Sequence, residues 1–464
     1  MDRKNKSLIK NIGLFMIGSF GSKILSFLFI PLYTAFLSTT EYGSVDLITS
    51  TASLLTPILL LSIFDATLRF GMDPNYTKED VLSTSIKIAI KGSLILIVGA
   101  FIVWVTKIFN ISGNYLIFLC IYFVLGAENQ IFNLYLRAKD NAAVIASSGI
   151  ICTLITCISN IVLLLVFKWG VIGYMISNTV GLLVQNTYQF FIGKIYKDIR
   201  IRNYTDLSKT MIKYSTPLIA NNISWWINNA SDRYILTFLK GVSENGIYSL
   251  SYKIPTVLTM FQSVFYNAWS ISAIAEFDEN DTDSFIGNNY SIYSFISLGV
   301  CSGLLLINVP LATFLYKGDY FSAWKCVPFL LMGTVFSGIS QFEGSLFAAT
   351  RNTKSVAITT VIGAGVNVVC NFVFIYFIGA IGAALATLLG YLTTWILRTR
   401  YLQCFIKMKV NWLIHFISIL LVIVQSVLAT MGVGAFIQLI PFTVLVVMNR
   451  RLIVPVMNVI KKNK

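Results

Sequence analysis

The sequence predicts an all-helical integral membrane protein made of two related halves. Of its 464 residues, 56% are apolar and only 12% are charged, and the mean hydropathy is +0.75. A soluble protein carries about 25% charged residues. The apolar residues form long runs, and the stretch that begins at Lys213 repeats the stretch that begins at Lys10. These observations favour a membrane transporter with an internal duplication over a soluble protein.

The hydrophobic runs define about fourteen predicted transmembrane helices. Most of them exceed the roughly 20 residues that cross a bilayer core of about 30 Å. Because the final run is short, the sequence is consistent with either twelve or fourteen spans. The runs cover about 10–37, 44–70, 82–106, 112–136, 144–167, 170–193, 213–239, 246–275, 288–316, 323–349, 355–378, 380–402, 411–431 and 433–448. We expect an N-terminal lobe of helices 1–6 (1–200), a C-terminal lobe of helices 7–12 (201–405), and helices 13–14 with a cytoplasmic tail (406–464).

The distribution of Lys and Arg predicts the orientation. Basic residues concentrate in cytoplasmic loops, and this rule places the N- and C-termini of this chain in the cytoplasm. A basic linker joins the halves, with Lys194, Lys197, Arg200, Arg202 and Lys209. One predicted cytoplasmic loop departs from the pattern, because it has acidic residues and no basic neighbours: Glu276, Asp278, Glu279, Asp281 and Asp283.

Three blocks carry the repeat. A shift of 203 residues places Lys10 on Lys213 and Glu41 on Glu244. A shift of 211 places the segment LRAKDNAAVIA (136–146) on FAATRNTKSVA (347–357), and a shift of 209 places Gly170, Gly173 and Gly181 on Gly379, Gly382 and Gly390. Each half has an even number of helices, so both halves insert with the same orientation, as in the parallel repeats of many transporters. The small residues suit close helix packing.

The sequence gives little support for an enzyme. The segment GSFGSK at 18–23 lacks the spacing of a phosphate-binding loop, and the single histidine, His415, cannot build a catalytic triad or a zinc site. No C-x-x-C motif occurs among the seven cysteines. We therefore predict no catalytic residues, no cofactor and no metal, and we expect the chain to move a substrate across the bilayer.

Ionisable and polar residues inside the predicted helices are the candidate site. A charge at the bilayer centre is costly unless it faces protein or water. The candidates are Lys23, Asp65, Arg69, Glu128, Asp232, Arg233, Lys253 and Glu343, with the amides Asn222 and Asn229 on helix 7. Asp65 and Arg69 are four residues apart and can form an ion pair on one helix face, or Arg69 can extend to the surface. Glu128 and Glu343 can each be a proton or sodium site, or a hydrogen-bonded structural residue.

The chain resembles a known family of transporters. The segments NIGLFMIGSFGSKILSFLFIPLYTAFLSTTEYG and YSTPLIANNISWWINNASDRYILTFLKGVSENGIYSLSYKI resemble polysaccharide transporters of the O-antigen-flippase type, as does GAIGAALAT. The superfamily also includes multidrug extruders and the lipid II flippase. The resemblance covers roughly 5–405. It implies an alternating-access cycle in the bacterial cytoplasmic (inner) membrane that moves an undecaprenyl-diphosphate-linked oligosaccharide, an O-antigen or capsule repeat unit, to the outer leaflet.

The resemblance also implies roles for particular residues. Lys23, Arg233 and Lys253 would meet the diphosphate, and helices 13 and 14 would flank a groove for the polyprenyl tail. The implied partners are the lipid-linked oligosaccharide, membrane lipids, an H⁺ or Na⁺ counter-ion, a polysaccharide polymerase and a chain-length regulator, and no nucleic acid. The alternative is a multidrug or organic-ion antiporter of the same superfamily. Such an exporter would favour an acidic cavity, whereas the three deep cations favour an anionic cargo.

Overall fold

The computed structural model describes residues 21, 23–108, 111–200, 205–275, 278–349, 353–450 and 452. Every regular element within these ranges is helical, which confirms the predicted all-helical class. The chain divides into two compact units, Met1–Ala230 and Ser231–Lys464. We call them unit 1 and unit 2 and describe each by itself. The predicted boundaries at 200 and 405 stay predictions.

Unit 1 begins with an apolar helical stretch over Lys23–Phe36. Its helices are α1 (Ile30–Phe36), α2 (Thr39–Leu59), α3 (Ile63–Gly71), α4 (Lys78–Thr106), α5 (Gly113–Ala138), α6 (Ala142–Asn160), which a π turn extends over Ile161–Val166, and α7 (Gly170–Ile192). A 3₁₀ turn at Ile195–Lys197 follows, and then α8 (Thr205–Lys240), within which the division between the units falls.

Unit 2 continues from the end of α8. Its helices are α9 (Val242–Ser251), α10 (Lys253–Ala275), α11 (Phe285–Leu306), α12 (Asn308–Leu315), α13 (Val327–Ala349), α14 (Thr353–Gln403), α15 (Trp412–Thr430) and α16 (Ala435–Met448), with a 3₁₀ segment at Gly318–Lys325 before α13. Inside α14, Ile378 and Gly379 leave the helical conformation. This break coincides with the predicted boundary between helices 11 and 12.

The membrane-spanning character is confirmed, but the number of spans is not. Among the described residues, six helices are long and apolar enough to cross a bilayer, or up to eight if each bent pair counts as one span. The pair α2 and α3 bends by 60°, and the left-handed residues Leu61 and Ser62 lie at the bend. Apolar side chains on α4 are exposed, as expected for contact with lipid: Leu94, Ile95, Val98, Phe101 and Ile102. The chain is a multi-pass membrane protein, and the count of fourteen stays a prediction.

The repeat is visible as matching contacts in the two units. In unit 1, a Cβ added to Gly170 would lie 3.8 Å from Glu41 Oε1, and in unit 2 a Cβ added to Gly379 would lie 3.6 Å from Glu244 Oε2. Both glycines have positive φ, +52° and +58°, a conformation that side chains other than glycine rarely adopt. The glutamate of one repeat block therefore meets the first glycine of another block in both units.

A second set of matching contacts brings two helices close together. A Cβ on Gly181 would meet the carbonyl of Cys152 at 3.1 Å and Thr156, and a Cβ on Gly390 would meet the carbonyl of Gly363 at 3.1 Å and Asn367. A shift of 211 relates Cys152 to Gly363 and Thr156 to Asn367, the same shift as in the second repeat block. The glycine spacing predicted this close approach because a glycine lets two helix backbones come together.

The chain that follows α7 in unit 1 docks on the first turns of α4, and the chain that follows α14 in unit 2 docks on the loop before α11. In unit 1, the backbone N–H of Arg200 donates to Ser83 Oγ at 2.8 Å, and its guanidinium lies 3.5 Å from Asp80 Oδ1. In unit 2, the backbone N–H of Lys409 donates to Asp281 Oδ2 at 3.1 Å, and its Nζ donates to the carbonyl of Thr282 at 2.7 Å. A shift of 209 relates Arg200 to Lys409. The acidic loop without basic sequence neighbours thus finds its basic residue in the segment that follows α14.

Candidate functional site

Unit 1 contains a cavity of about 320 Å³. Hydroxyl, amide and aromatic groups line it together with small apolar side chains: Thr49, Ala52, Ser53, Thr56, Pro57, Phe64, Tyr122, Phe123, Gly126, Gln130 and Asn222. The indole N–H of Trp226 donates to the carbonyl of Ser50 at 2.9 Å and fixes α8 against α2. Of the two amides predicted on helix 7, Asn222 lines this cavity.

Asp65 lies beside this cavity and takes its hydrogen bond from α8. The Asn222 amide donates to Asp65 Oδ2 at 3.1 Å and to Ser62 Oγ at 3.1 Å. Among the described residues, no ion pair joins Asp65 to Arg69, whose side chain is exposed. The ion pair that the i, i+4 spacing allowed is therefore wrong for this structure. The physical reason is that Asn222 approaches Asp65 from a neighbouring helix while Arg69 reaches the surface.

Glu128 belongs to a chain of side-chain amides that crosses unit 1. Its Oε2 accepts from the Asn186 amide at 3.0 Å, and Asn186 Oδ1 accepts from Asn129 at 2.8 Å. Asn129 Oδ1 in turn accepts from Asn133 at 2.8 Å. The buried Gln189 donates to Asn133 Oδ1 at 2.9 Å, and it also donates to Ser148 Oγ at 2.8 Å. This amide network ties α5, α6 and α7 together with neutral groups and one carboxylate.

Asp232 is the most completely coordinated carboxylate in the described part of unit 2. It is 2% exposed, and its Oδ2 accepts from the hydroxyls of Tyr248 at 2.5 Å, Tyr252 at 3.0 Å and Thr387 at 3.4 Å. The backbone N–H of Arg233 donates to its Oδ1 at 2.9 Å. Asn367 extends the cluster by donating to Thr387 Oγ1 at 3.5 Å. Four donors, from α8, from α9 and the residue that follows it, and from α14, thus surround one carboxylate.

The predicted cationic residues lie at three different places. Arg233 is half-buried, and its guanidinium carbon lies 5.7 Å from the centre of the Tyr252 ring, within the range of a cation–π contact. Lys253 follows Tyr252 in the sequence, opens α10 in unit 2 and is half-buried. Lys23 belongs to unit 1 and is exposed. A common cavity for all three stays a prediction.

Glu343 forms a second charged centre in unit 2. The side chain is completely buried, and its Oε1 accepts from the Thr399 hydroxyl at 2.6 Å and from the Tyr290 hydroxyl at 3.4 Å. Its Oε2 is buried without a hydrogen-bond partner. The indole N–H of Trp395 donates to the Tyr290 oxygen at 3.1 Å. The Tyr290 proton is therefore directed to Glu343.

The sequence analysis missed Arg398 as a member of this centre. Arg398 is 4% exposed, and it donates to the carbonyl of Ser340 at 2.6 Å and to the hydroxyls of Thr359 at 3.2 Å and Thr360 at 2.8 Å. The signal was present, because Arg398 lies inside the predicted run 380–402. Its place near the end of that run suggested a surface residue instead.

Asn229 contributes least among the predicted residues. It is exposed, and its amide donates to the carbonyl of Trp225 in its own helix at 2.7 Å. The structure therefore places predicted residues in four centres: Asp65 with Asn222, Glu128 with the amide network, Asp232 with its hydroxyl donors beside Arg233, and Glu343 with its donors.

Comparisons with known proteins agree with this architecture. The sequence profile described as "Polysaccharide biosynthesis protein" matches residues 8–270, more than half of the chain. The probable low-salt glycan biosynthesis flippase Agl15 of Haloferax volcanii is 21% identical over 212 residues, which cover 44% of each chain. The match thus spans less than half the length of that relative.

The lipid II flippase MurJ in an inward closed conformation is similar in structure, with a TM-score of 0.72, 15% identity, and coverage of 95% of this chain and 99% of MurJ. An inward-facing multidrug transporter of the MATE family has a TM-score of 0.68 at 11% identity, with coverage of 82% of this chain and 94% of that one.

Proposed function

Because the chain belongs to the polysaccharide biosynthesis protein family, we propose that it is a flippase of lipid-linked oligosaccharides. In this proposal it moves an undecaprenyl-diphosphate-linked repeat unit of an O-antigen or capsule from the cytoplasmic to the outer leaflet of a bacterial cytoplasmic membrane. Both termini would lie in the cytoplasm. The names of two similar proteins, a glycan biosynthesis flippase and the lipid II flippase, support a lipid-linked glycan as cargo.

The arrangement of Asp232 and Arg233 is the observation that carries the proposal. The Asp232 carboxylate accepts three hydroxyl hydrogen bonds and one from the backbone N–H of Arg233. The Arg233 guanidinium carbon lies 5.7 Å from the centre of the Tyr252 ring, which places the planar cation beside an aromatic face. An oriented guanidinium binds a phosphate through two parallel hydrogen bonds. We therefore assign the cargo's diphosphate to Arg233, with Lys253 and Lys23 as further cations.

The first experiment identifies the cargo and then measures its transport. Deletion of the gene should cause one undecaprenyl-linked oligosaccharide to accumulate. That lipid, purified and fluorescently labelled, is reconstituted with the protein in vesicles, and its arrival in the opposite leaflet is followed over time. We expect Arg233→Ala to reduce the rate about ten-fold or more, because a charge-assisted hydrogen bond contributes roughly 1.5–3 kcal/mol. Arg233→Lys should recover only part of the rate, because lysine lacks the planar fork.

Lys240→Ala is the matched control. Lys240 is a cation on the same helix, is exposed, and lies 5.9 Å from the Tyr376 ring, so it also makes a cation–π contact. Its loss should leave the rate near that of the wild type. A folded, well-expressed Arg233→Ala variant that moves the lipid normally would refute the assignment of the diphosphate to Arg233.

We further propose that an ion gradient drives the transport and that H⁺ or Na⁺ binds at Asp232. A carboxylate surrounded by hydroxyl oxygens offers the hard oxygen ligands that such ions prefer. Thr387→Val removes one of these oxygens and should weaken the dependence of the rate on the gradient. Thr393→Val is the control, since Thr393 lies in the same helix and its hydroxyl donates to the carbonyl of Leu389. If the rate is unchanged after all gradients are collapsed, transport is passive.

A further inference from the structure

We infer that Glu343 is a second ion-binding position, a proton-binding site inside unit 2 that is separate from Asp232. The inference deepens the proposed function, because it adds a group that can take up and release a proton during transport. It rests on four observations: the hydrogen bonds of Glu343, those of Arg398, the groups around both, and the residues at the equivalent positions of unit 1.

The hydrogen bonds of Glu343 fit a carboxylic acid. Both donors, Thr399 and Tyr290, reach Oε1, while Oε2 is buried and has no hydrogen-bond partner among the described residues. A buried carboxylate with one unpaired oxygen is strongly disfavoured. If Oε2 carries a proton instead, the side chain is neutral and Oε1 is a carbonyl oxygen that accepts two hydrogen bonds.

Arg398 is placed to stabilise the other protonation state. Each of its three nitrogens donates to a neutral oxygen, and among the described residues no ion pair within 4 Å joins it to Glu343. Both side chains are nevertheless buried between α13 and α14, where electrostatic interactions are weakly screened. The fixed positive charge of Arg398 therefore favours the ionised form of Glu343 once the proton has left. A proton site needs both forms to be accessible.

Several titratable groups surround this pair. Tyr290 of α11 donates to Glu343, and Tyr293 of the same helix packs on the ring of Phe342, the residue before Glu343. Tyr266 of α10 lies near the guanidinium of Arg398. From α15, the buried His415 ring lies 5.3 Å from the ring of Tyr290, and its Nε2 has no hydrogen-bond partner. Glu343 is the only carboxylate among these groups, so it is the group to which we assign the proton.

Unit 1 shows what the same positions look like without this function. A shift of 211 places Glu343 on the buried Phe132, and a shift of 209 places Arg398 on Gln189. Gln189 donates to Ser148, and Arg398 donates to Thr359, which is the residue equivalent to Ser148. The fold of the repeat therefore does not require a charge at either position.

The test combines infrared spectroscopy with transport. A protonated carboxyl group has a C=O stretching band that an ionised carboxylate lacks. We expect this band in the wild-type protein at neutral pH, and we expect it to decrease in Glu343→Gln. The variant should fold, because glutamine can still accept hydrogen bonds from Thr399 and Tyr290. Glu244→Gln is the matched control, because Glu244 is a half-buried glutamate of the same unit that lies outside the candidate site, and it should leave the band in place.

The same variants are then compared in vesicles with a pH gradient. We expect the transport rate of Glu343→Gln to lose most of its response to the gradient, while Glu244→Gln retains the response. An unchanged carboxyl band in Glu343→Gln, or an unchanged response of its rate to the gradient, would overturn the inference. The infrared measurement needs no cargo. A wild-type protein that moves no lipid-linked oligosaccharide but shows the Glu343 band would refute the proposed function and leave the proton site standing.

Discussion

The two units solve the same packing problem with different chemistry. Helix α7 of unit 1 carries the amide of Gln189, and α14 of unit 2 carries the guanidinium of Arg398 at the equivalent position. Both donate to equivalent hydroxyl groups, Gln189 to Ser148 and Arg398 to Thr359. The neighbouring helix adapts to the difference. Asn133 accepts from Gln189 in unit 1, whereas its equivalent, Gly344, leaves room for Arg398, because a Cβ there would lie 3.3 Å from Nη1.

This comparison teaches that the duplicated scaffold and the charged interior are separable. The glycine contacts that bring the helices together are shared by both units. The polar groups between these helices are not shared, since unit 1 has a network dominated by neutral amides and unit 2 has the buried ionisable side chains of Asp232, Glu343 and Arg398. Neutral amides fix helices in place without titrating. Charged groups in the same frame can respond to ions or to an anionic cargo.

The largest expected effect comes from moving the unit 2 residue into unit 1. Gln189→Arg would bury a cation beside Asn133 and Ser148 without the room that Gly344 provides in unit 2. We expect a loss of roughly 4 kcal/mol or more in stability, because an unpaired buried charge is strongly destabilising. Adding Asn133→Gly should recover part of the lost stability. Thermal unfolding in detergent measures the stability of the single and of the double variant. A single variant as stable as the wild type would show that the amide network is not what excludes a charge.

The reverse exchange should cost somewhat less. Arg398→Gln removes three charge-assisted hydrogen bonds, to Ser340, Thr359 and Thr360, and replaces them with at most two neutral ones. We expect a loss of about 3 kcal/mol. In the Arg398→Gln background, Glu343→Gln should change the stability by a different amount than it does in the wild type, because the two positions are coupled through charge. Strict additivity in this double-mutant cycle would show that Arg398 and Glu343 do not interact.

The helices of the scaffold could be predicted from sequence because their signals are local and periodic. The break at Ile378 and Gly379, for instance, lies where the sequence separates two apolar runs. Gly379 has a positive φ there, which glycine adopts readily. The partners of Glu343 could not be predicted, because Tyr290 and Thr399 are 53 and 56 residues away from it along the chain. The i, i+4 rule also failed for Asp65, whose partner Asn222 is 157 residues away. Sequence thus identified buried polar residues but not the residues that bind them.

Equivalent glycines of the two units should tolerate substitution by alanine to different degrees. A Cβ at Gly382 would lie 2.3 Å from the carbonyl oxygen of Phe374, whereas a Cβ at the equivalent Gly173 would come no closer than 3.1 Å to Leu163. We therefore expect Gly382→Ala to cost about 1–3 kcal/mol and Gly173→Ala distinctly less. Gly365→Ala, with no atom within 4 Å, is the control in a helix interior. Equal melting temperatures for Gly382→Ala and Gly365→Ala would contradict the prediction.

The smallest expected effect concerns the start of the second helix in each unit. In unit 1, Ser38 and Glu41 form a reciprocal cap, with Ser38 Oγ accepting from the Glu41 backbone at 3.2 Å, whereas α9 of unit 2 follows Gly241 and has no side-chain cap. Ser38→Ala should lower the stability by about 1 kcal/mol. Thr40→Ala, an exposed neighbour, should have almost no effect. A stability unchanged by Ser38→Ala would show that the cap adds nothing to α2.

The docking of Arg200 on the first turns of α4 also bears on how the protein is made. The contacts that close the first six helices, Glu41 with Gly170 and Arg200 with Asp80 and Ser83, all come from residues that precede α8. A ribosome adds about 5–20 residues per second and releases the N-terminal part first. These six helices can therefore lock together in the membrane several seconds before the last residues of unit 2 are synthesised.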